Sequence, residues 1–221
     1  MVAQGHAAAQ NHTTLVIAVD LTQSVAVRGP DGRSEFQKNI EGVTKQLALV
    51  PADSRVTVVG ITDHSFTQPD ILLSATIPAD AGYFGERLSR ARNQLVQGWS
   101  TRSAKLEPRY QQTDIIGALM LAGQLFDQDA RTGQKILVIY SDMRHRTADL
   151  DLESLQTVPR LEKTSTSNLV RADIHDVEVY AFGVDGAGKS MTYWLSLRGF
   201  WTVYFRSSGA TLKSYAVLRN R

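Results

Sequence analysis

No cysteine occurs in the 221 residues, so disulfide staples, thiolate zinc sites and cysteine nucleophiles are all excluded. Long apolar runs are missing as well. No stretch approaches the roughly 20 residues that a membrane-spanning helix needs. Charge of one sign is scarce: 24 Lys and Arg against 22 Asp and Glu leave a formal +2. With a pI near 8.9, that balance is too mild to argue for nucleic-acid binding without a clustered basic patch. The histidines, His6, His12, His64, His145 and His175, never pair at zinc-like spacing. No serine sits in a nucleophile elbow. What remains is 43% hydrophobic and 21% charged, ordinary for a globular protein and long enough for one sizeable core.

Residues 1–12 are rich in Ala, Gln and His and read as a disordered tail ahead of one domain over residues 13–221. They hold no apolar segment and so make no signal peptide as they stand. Ala7-Ala8-Ala9 before Gln10 does look like the small-residue end of one. A removed signal would place the chain in the periplasm or outside the cell; otherwise the cytoplasm is expected.

The domain is organised around residues 13–24, Thr-Thr-Leu-Val-Ile-Ala-Val-Asp-Leu-Thr-Gln-Ser. The apolar run from Leu15 to Val19 suits a strand buried on both faces, as in a parallel sheet. It stops at Asp20, and Asp20, Thr22 and Ser24 then offer oxygens at every second position. Ligands of open α/β sheets lie beyond the carboxyl ends of strands. One carboxylate and two hydroxyls aimed at a common point would suit a hard cation. The same three residues also suit a capped turn.

After a Gly29-Pro30-Asp31-Gly32 turn, Ser34 can cap a helix whose Phe36, Ile40, Val43 and Leu47 share a face. Residues 55–61 read as a second strand, and residues 71–77, flanked by Pro69 and Pro78, as an edge strand. Residues 83–98 suit a helix with Phe84, Leu88, Ala91 and Leu95 inward and Arg87, Arg90 and Arg92 on a solvated face. Residues 100–110 are polar and basic and read as irregular. Thr113 caps a strongly apolar helix from Ile115 to Phe126, one packed on several sides. Residues 135–140 form a fourth strand ending in Ser141-Asp142, a second acid at a strand's carboxyl edge. A short helix is expected over residues 150–155 and a polar loop over residues 163–168. A fifth strand covers residues 177–184 and a sixth residues 211–218. Between them lies a helix with Tyr193, Trp194, Leu197, Phe200, Trp201, Tyr204 and Phe205 at helical spacing. Such alternation predicts an α/β fold, a doubly wound, mostly parallel six-stranded sheet with helices on both faces.

Asp20-x-Thr22-x-Ser24 after the first strand, Thr113 at a helix start and Asp142 after the fourth strand together resemble the von Willebrand factor A domain. Residues 113–119 also look like the segment around that family's Thr, and the resemblance spans about residues 13–218. It implies a Rossmann-like fold with a metal-ion-dependent adhesion site, holding Mg²⁺ or Mn²⁺ on Asp20, Thr22, Ser24, Thr113 and Asp142. By resemblance Thr22 and Ser24 ligate directly, Thr113 joins when a ligand is bound, and the two aspartates act largely through water. The partner implied is another protein presenting Asp or Glu; no nucleic acid and no membrane span are expected. Thr22 stands where the family usually has Ser, with the same oxygen and an extra methyl. Met143 follows Asp142 where Gly is more usual, which bears on the loop beyond. Arg144, His145 and Arg146 are expected at the rim, steering an acidic partner.

Two other readings compete. The stretch from Gly183 to Ser190, Gly-Val-Asp-Gly-Ala-Gly-Lys-Ser, satisfies the phosphate-loop pattern literally, which would make a Mg²⁺-dependent nucleotide-binding or phosphoryl-transfer enzyme. Against it, such a loop normally follows a first strand. An aspartate-nucleophile phosphatase would need a second Asp where Thr22 stands. The remaining reading is a structural assembly subunit that docks through its aromatic C-terminal helix. No catalytic constellation is evident, so a binding protein is expected rather than an enzyme.

Overall fold

The computed structural model describes residues 12–160, 169–184 and 188–218. Strand β1 (His12–Asp20) is buried along its whole length. Its alternate residues face opposite layers, which is why the run is apolar without a polar period. Leu15, Ile17 and Val19 join one core and Val16 and Ala18 the other. The strand begins one residue before the expected domain boundary. His12 is buried in it, with Nε2 2.9 Å from Asp129 Oδ2; the rest of the expected tail lies outside the described residues.

Helix α1 (Glu35–Ala48) is fixed at its start by a capping box: Ser34 Oγ accepts from the Gln37 N–H, and Gln37 Oε1 accepts from the Ser34 N–H. Then come β2 (Ser54–Ile61) and β3 (Ile71–Ile77). The latter runs antiparallel to β2 at the sheet edge, as its flanking prolines predict. Helix α2 (Glu86–Ser103) runs past Gly98 into the stretch expected to be irregular. It is anchored there by Trp99, whose side chain is fully buried against α1 and the sheet. Phe84 is not inward. It sits on a short 3₁₀ turn before α2, fully exposed, at φ 52°.

Helix α3 (Ile115–Asp127) is buried on nearly every side. Its N-cap is Asp114, which accepts from the Gly117 N–H at 2.8 Å, and not Thr113. Strands β4 (Gly133–Tyr140) and β5 (Val177–Phe182), helix α4 (Met191–Ser207) and strand β6 (Thr211–Ala216) complete the chain. Residues 150–155 form no helix. The Asp151 carboxylate takes the Glu153 and Ser154 N–H groups and the Ser154 hydroxyl, a local bonding pattern that competes with helix. The loop expected over residues 163–168 lies outside the described residues.

The sheet order is β3-β2-β1-β4-β5-β6, parallel except for β3. Helices α1 and α2 cover one face, and α3 and α4 the other. The chain leaves β1 toward one edge and returns through β4 toward the other. The carboxyl ends of β1 and β4 therefore flank the crevice of a topological switch point, where doubly wound sheets bind ligands. Close approach of α1 to the sheet needs a glycine: a Cβ on Gly42 would lie 2.4 Å from Tyr140 Cε1.

Candidate functional site

Asp20 ends β1 and is fully buried. Its Oδ1 accepts from the Thr22 N–H at 2.9 Å and the Thr22 hydroxyl at 2.7 Å. The Thr22 hydroxyl in turn lies 3.0 Å from Ser24 Oγ and accepts from the Thr113 hydroxyl at 3.1 Å. Thr113 is free to turn inward because its backbone is held elsewhere. It pairs with Arg146 in both directions, N–H to O, at 3.0 Å, while Asp114 takes over the cap. Asp142, just beyond β4, is buried and lines the same cleft as Ser24, close enough for its charge to bear on Asp20. The five residues singled out from three separated segments thus meet in one cluster at the β1–β4 crevice.

Ser141 completes that cluster and was not among the expected site residues. Its hydroxyl donates to Asp20 Oδ2 at 2.6 Å, and its oxygen accepts from the Met143 N–H at 3.0 Å. The signal available in sequence was its position, a hydroxyl beside an acid at a strand's carboxyl end.

Burial, then the nearby Asp142 charge, push the Asp20 carboxyl up to about 7 against the opposing hydrogen bonds from Ser141 and Thr22. Burial also raises Asp142, while the Arg144 guanidinium pulls it down. Of these two buried carboxyls only Asp142 is paired with a basic group, Arg144, and a divalent cation would supply the further positive charge. The surrounding donors are all oxygen, which suits Mg²⁺ or Mn²⁺ rather than a soft ion. Among the described residues no cluster of three or more His, Cys, Asp or Glu side chains is arranged for a metal; here the set is two carboxylates with hydroxyls.

The three residues expected at the rim separate. Arg146 is exposed, 3.5 Å from Glu153 and 3.9 Å from Asp151. His145 is no rim residue: it is 2% exposed, and its Nδ1 accepts from the Ile115 N–H at 3.1 Å. That bond leaves the proton on Nε2, which donates to Thr147 Oγ1 at 3.2 Å, and burial pushes the ring down to about 4. Arg144 turns back onto Asp142. Its backbone N–H reaches Oδ1 and its Nε reaches Oδ2, each at 3.0 Å.

The competing readings find less. Residues 185–187 of the phosphate-loop match lie outside the described residues. Of its flanks, Lys189 donates to the Glu153 carbonyl and Ser190 caps α4 through the Tyr193 N–H. The aromatic stripe of α4 is core: Tyr193, Leu197, Phe200, Trp201, Tyr204 and Phe205 are at most 2% exposed. Trp194, also in that stripe, is only partly buried, edge-on to Tyr215 with ring centroids 6.0 Å apart, so most of the stripe is spent on the core. No described helix is long and apolar enough to cross a membrane.

No protein-family model matches the chain, and no curated protein sequence does. Solved structures do. Proximal thread matrix protein 1 from the mussel byssus is 13% identical with a TM-score of 0.51 over 94% of this chain. A von Willebrand factor type A protein from Catenulispora acidiphila is 14% identical, TM-score 0.48, over 94%. Three N-terminal domains of the type V pili tip protein Mfa5 from Porphyromonas gingivalis give 13% identity and TM-score 0.38 over 58%. The chain spans 42%, 39% and 19% of those chains respectively. Identity this low speaks to fold alone. The fold is a Rossmann-like α/β fold, a mostly parallel six-stranded sheet between helices.

Proposed function

We propose that this chain is a divalent-metal-dependent protein-binding module, whose metal would be held by Asp20, Thr22, Ser24, Thr113 and Asp142. The observation that carries the reading is the meeting of these oxygens, from three distant segments, at the β1–β4 crevice. Unrelated turn residues and caps would have no reason to converge there. Bound in this cluster, a Mg²⁺ or Mn²⁺ ion would supply an electrophilic centre for a carboxylate. The natural ligand is then an Asp or Glu of another protein, in adhesion or assembly. A cleft of about 670 Å³, lined by Ser24, Asp142, Arg144, Val27 and Leu218 among others, gives a partner segment room to approach.

The test is a calorimetric Mn²⁺ titration of wild type and D20N, with thermal melts in Mg²⁺ and in chelator. Wild type should bind one ion and melt higher with metal, as ligands of the native state require; D20N should do neither. Equal Mn²⁺ binding by both proteins refutes the assignment.

A further inference from the structure

Arg144 is the charged group the metal reading does not use. Its side chain is only 14% exposed. It reaches Asp142 because the chain reverses at Met143, which adopts φ 62° with its side chain wholly buried. That left-handed conformation is strained for a residue with a Cβ. It is held from both sides: the Ser141 oxygen takes the Met143 N–H, and the Trp201 indole N–H donates to the Met143 carbonyl at 2.9 Å. A strained turn is thus over-determined, and what it delivers is a guanidinium against one of the two site carboxylates. The other acid near Arg144, Glu153, is more distant at 3.9 Å and is shared with Arg146 at 3.5 Å.

We infer that Arg144 is a built-in countercharge of the site, a positioning residue that weakens the hold on the cation and strengthens the pull on a carboxylate. The inference rests on the metal reading above and deepens it. The charges give its logic. Asp20 and Asp142 with a divalent ion alone would sum to zero, leaving little attraction for an incoming anion. Adding the Arg144 guanidinium leaves a single positive charge, which one Asp or Glu of a partner cancels. The same guanidinium, fixed on Asp142 Oδ2, competes with the ion and its water for that oxygen. Arg144, Ser24 and Asp142 line one cleft, so a carboxylate entering there meets the guanidinium and the cluster together.

The experiment is Mn²⁺ calorimetry on wild type, R144Q and R144K at pH 8, each with and without acetate as the carboxylate probe. R144Q should bind Mn²⁺ about tenfold tighter, the low end of what groups touching metal ligands control, and R144K should stay near wild type. Acetate should tighten Mn²⁺ binding by wild type and R144K and do so less for R144Q, as linkage requires. Circular dichroism checks each fold, and R144M, which keeps the apolar stem, repeats the measurement if R144Q is misfolded. Mn²⁺ binding by the uncharged variants no tighter than wild type, or an undiminished acetate effect, overturns the inference and leaves the metal site standing. No Mn²⁺ binding by any of the proteins overturns both.

Discussion

His145 gives the sharpest prediction, because the structure fixes both its role and its sign. The ring is buried, neutral, and accepts the Ile115 N–H at the start of α3 through Nδ1. Protonation would place a donor where that acceptor stands and a charge on a buried ring. The group's ordinary value of 6.5 falls to about 4 in the fold, with burial as the cause. A histidine depressed in this way is neutral in the native state while the unfolded chain takes up a proton. Its contribution is therefore intact above 6.5 and lost as pH falls from 6.5 toward 4. Linkage across that window amounts to roughly 2.5 kcal/mol by pH 4.5. The group is 2% exposed, so solvent screening takes little from it.

Asp20 works in the opposite direction: its carboxyl, pushed up to about 7, contributes stability at low pH that is lost as pH rises from 3.8 to 7. A bare pH profile would mix the two. The clean perturbation is His145→Asn, whose Oδ1 can stand near the place of Nδ1 and accept the same N–H without titrating. Urea unfolding of both proteins in chelator, at pH 7.5 and 4.5, isolates the histidine, since Asp20 contributes equally to each. The stability of H145N relative to wild type should be about 2.5 kcal/mol more favourable at pH 4.5 than at pH 7.5. In thermal melts that is a relative shift of roughly 5–10 °C for a chain of this size. A difference that does not change with pH refutes the assignment of His145 as a buried neutral acceptor.

Three further predictions are more direct. Ser141→Ala removes the 2.6 Å bond to Asp20 and should weaken Mn²⁺ binding about tenfold, with an unchanged affinity showing that Ser141 plays no part in the site. Gly42→Ala puts a Cβ 2.4 Å from Tyr140 Cε1 and should cost about 1–3 kcal/mol in urea unfolding as core overpacking; a neutral effect would mean that α1 can move off the sheet. Phe84→Asn keeps the φ 52° turn with a residue that tolerates it and removes a fully exposed ring. The ring's edge-on contact is with Tyr83, itself exposed, at 5.5 Å between centroids, so the exchange should stabilise the protein by roughly 1 kcal/mol; destabilisation would show that this ring pair outweighs the relief of strain.

Much of the fold was legible because its signals are periodic. The apolar run at Leu15 to Val19 is continuous since β1 feeds two cores, and Pro69 and Pro78 marked β3 as an edge. Boundaries failed where a local contact outweighed composition. Trp99 draws α2 on through a polar stretch by burying a large indole, and Asp151 captures N–H groups that a helix over residues 150–155 would need. Thr113 and Asp114 are both good caps by residue type. What separates them is the Thr113–Arg146 backbone pairing, a contact between residues far apart in sequence that no local pattern carries.

The candidate site divides on the same line. Asp20, Thr22, Ser24 and Asp142 were readable because the ends of β1 and β4 fix where they stand, and a strand's end is visible in sequence. The run Arg144-His145-Arg146 was not, for a single backbone reason. With Gly at position 143 a left-handed turn would have been an obvious possibility; Met143 disguises it, yet adopts φ 62° all the same. From that turn one basic residue folds back onto Asp142, the next is buried under α3, and only the third reaches the surface. Three adjacent residues of one charge class thus take three electrostatic roles. Which of them faces a partner depends on the sign of one dihedral angle, held in place by an indole from α4.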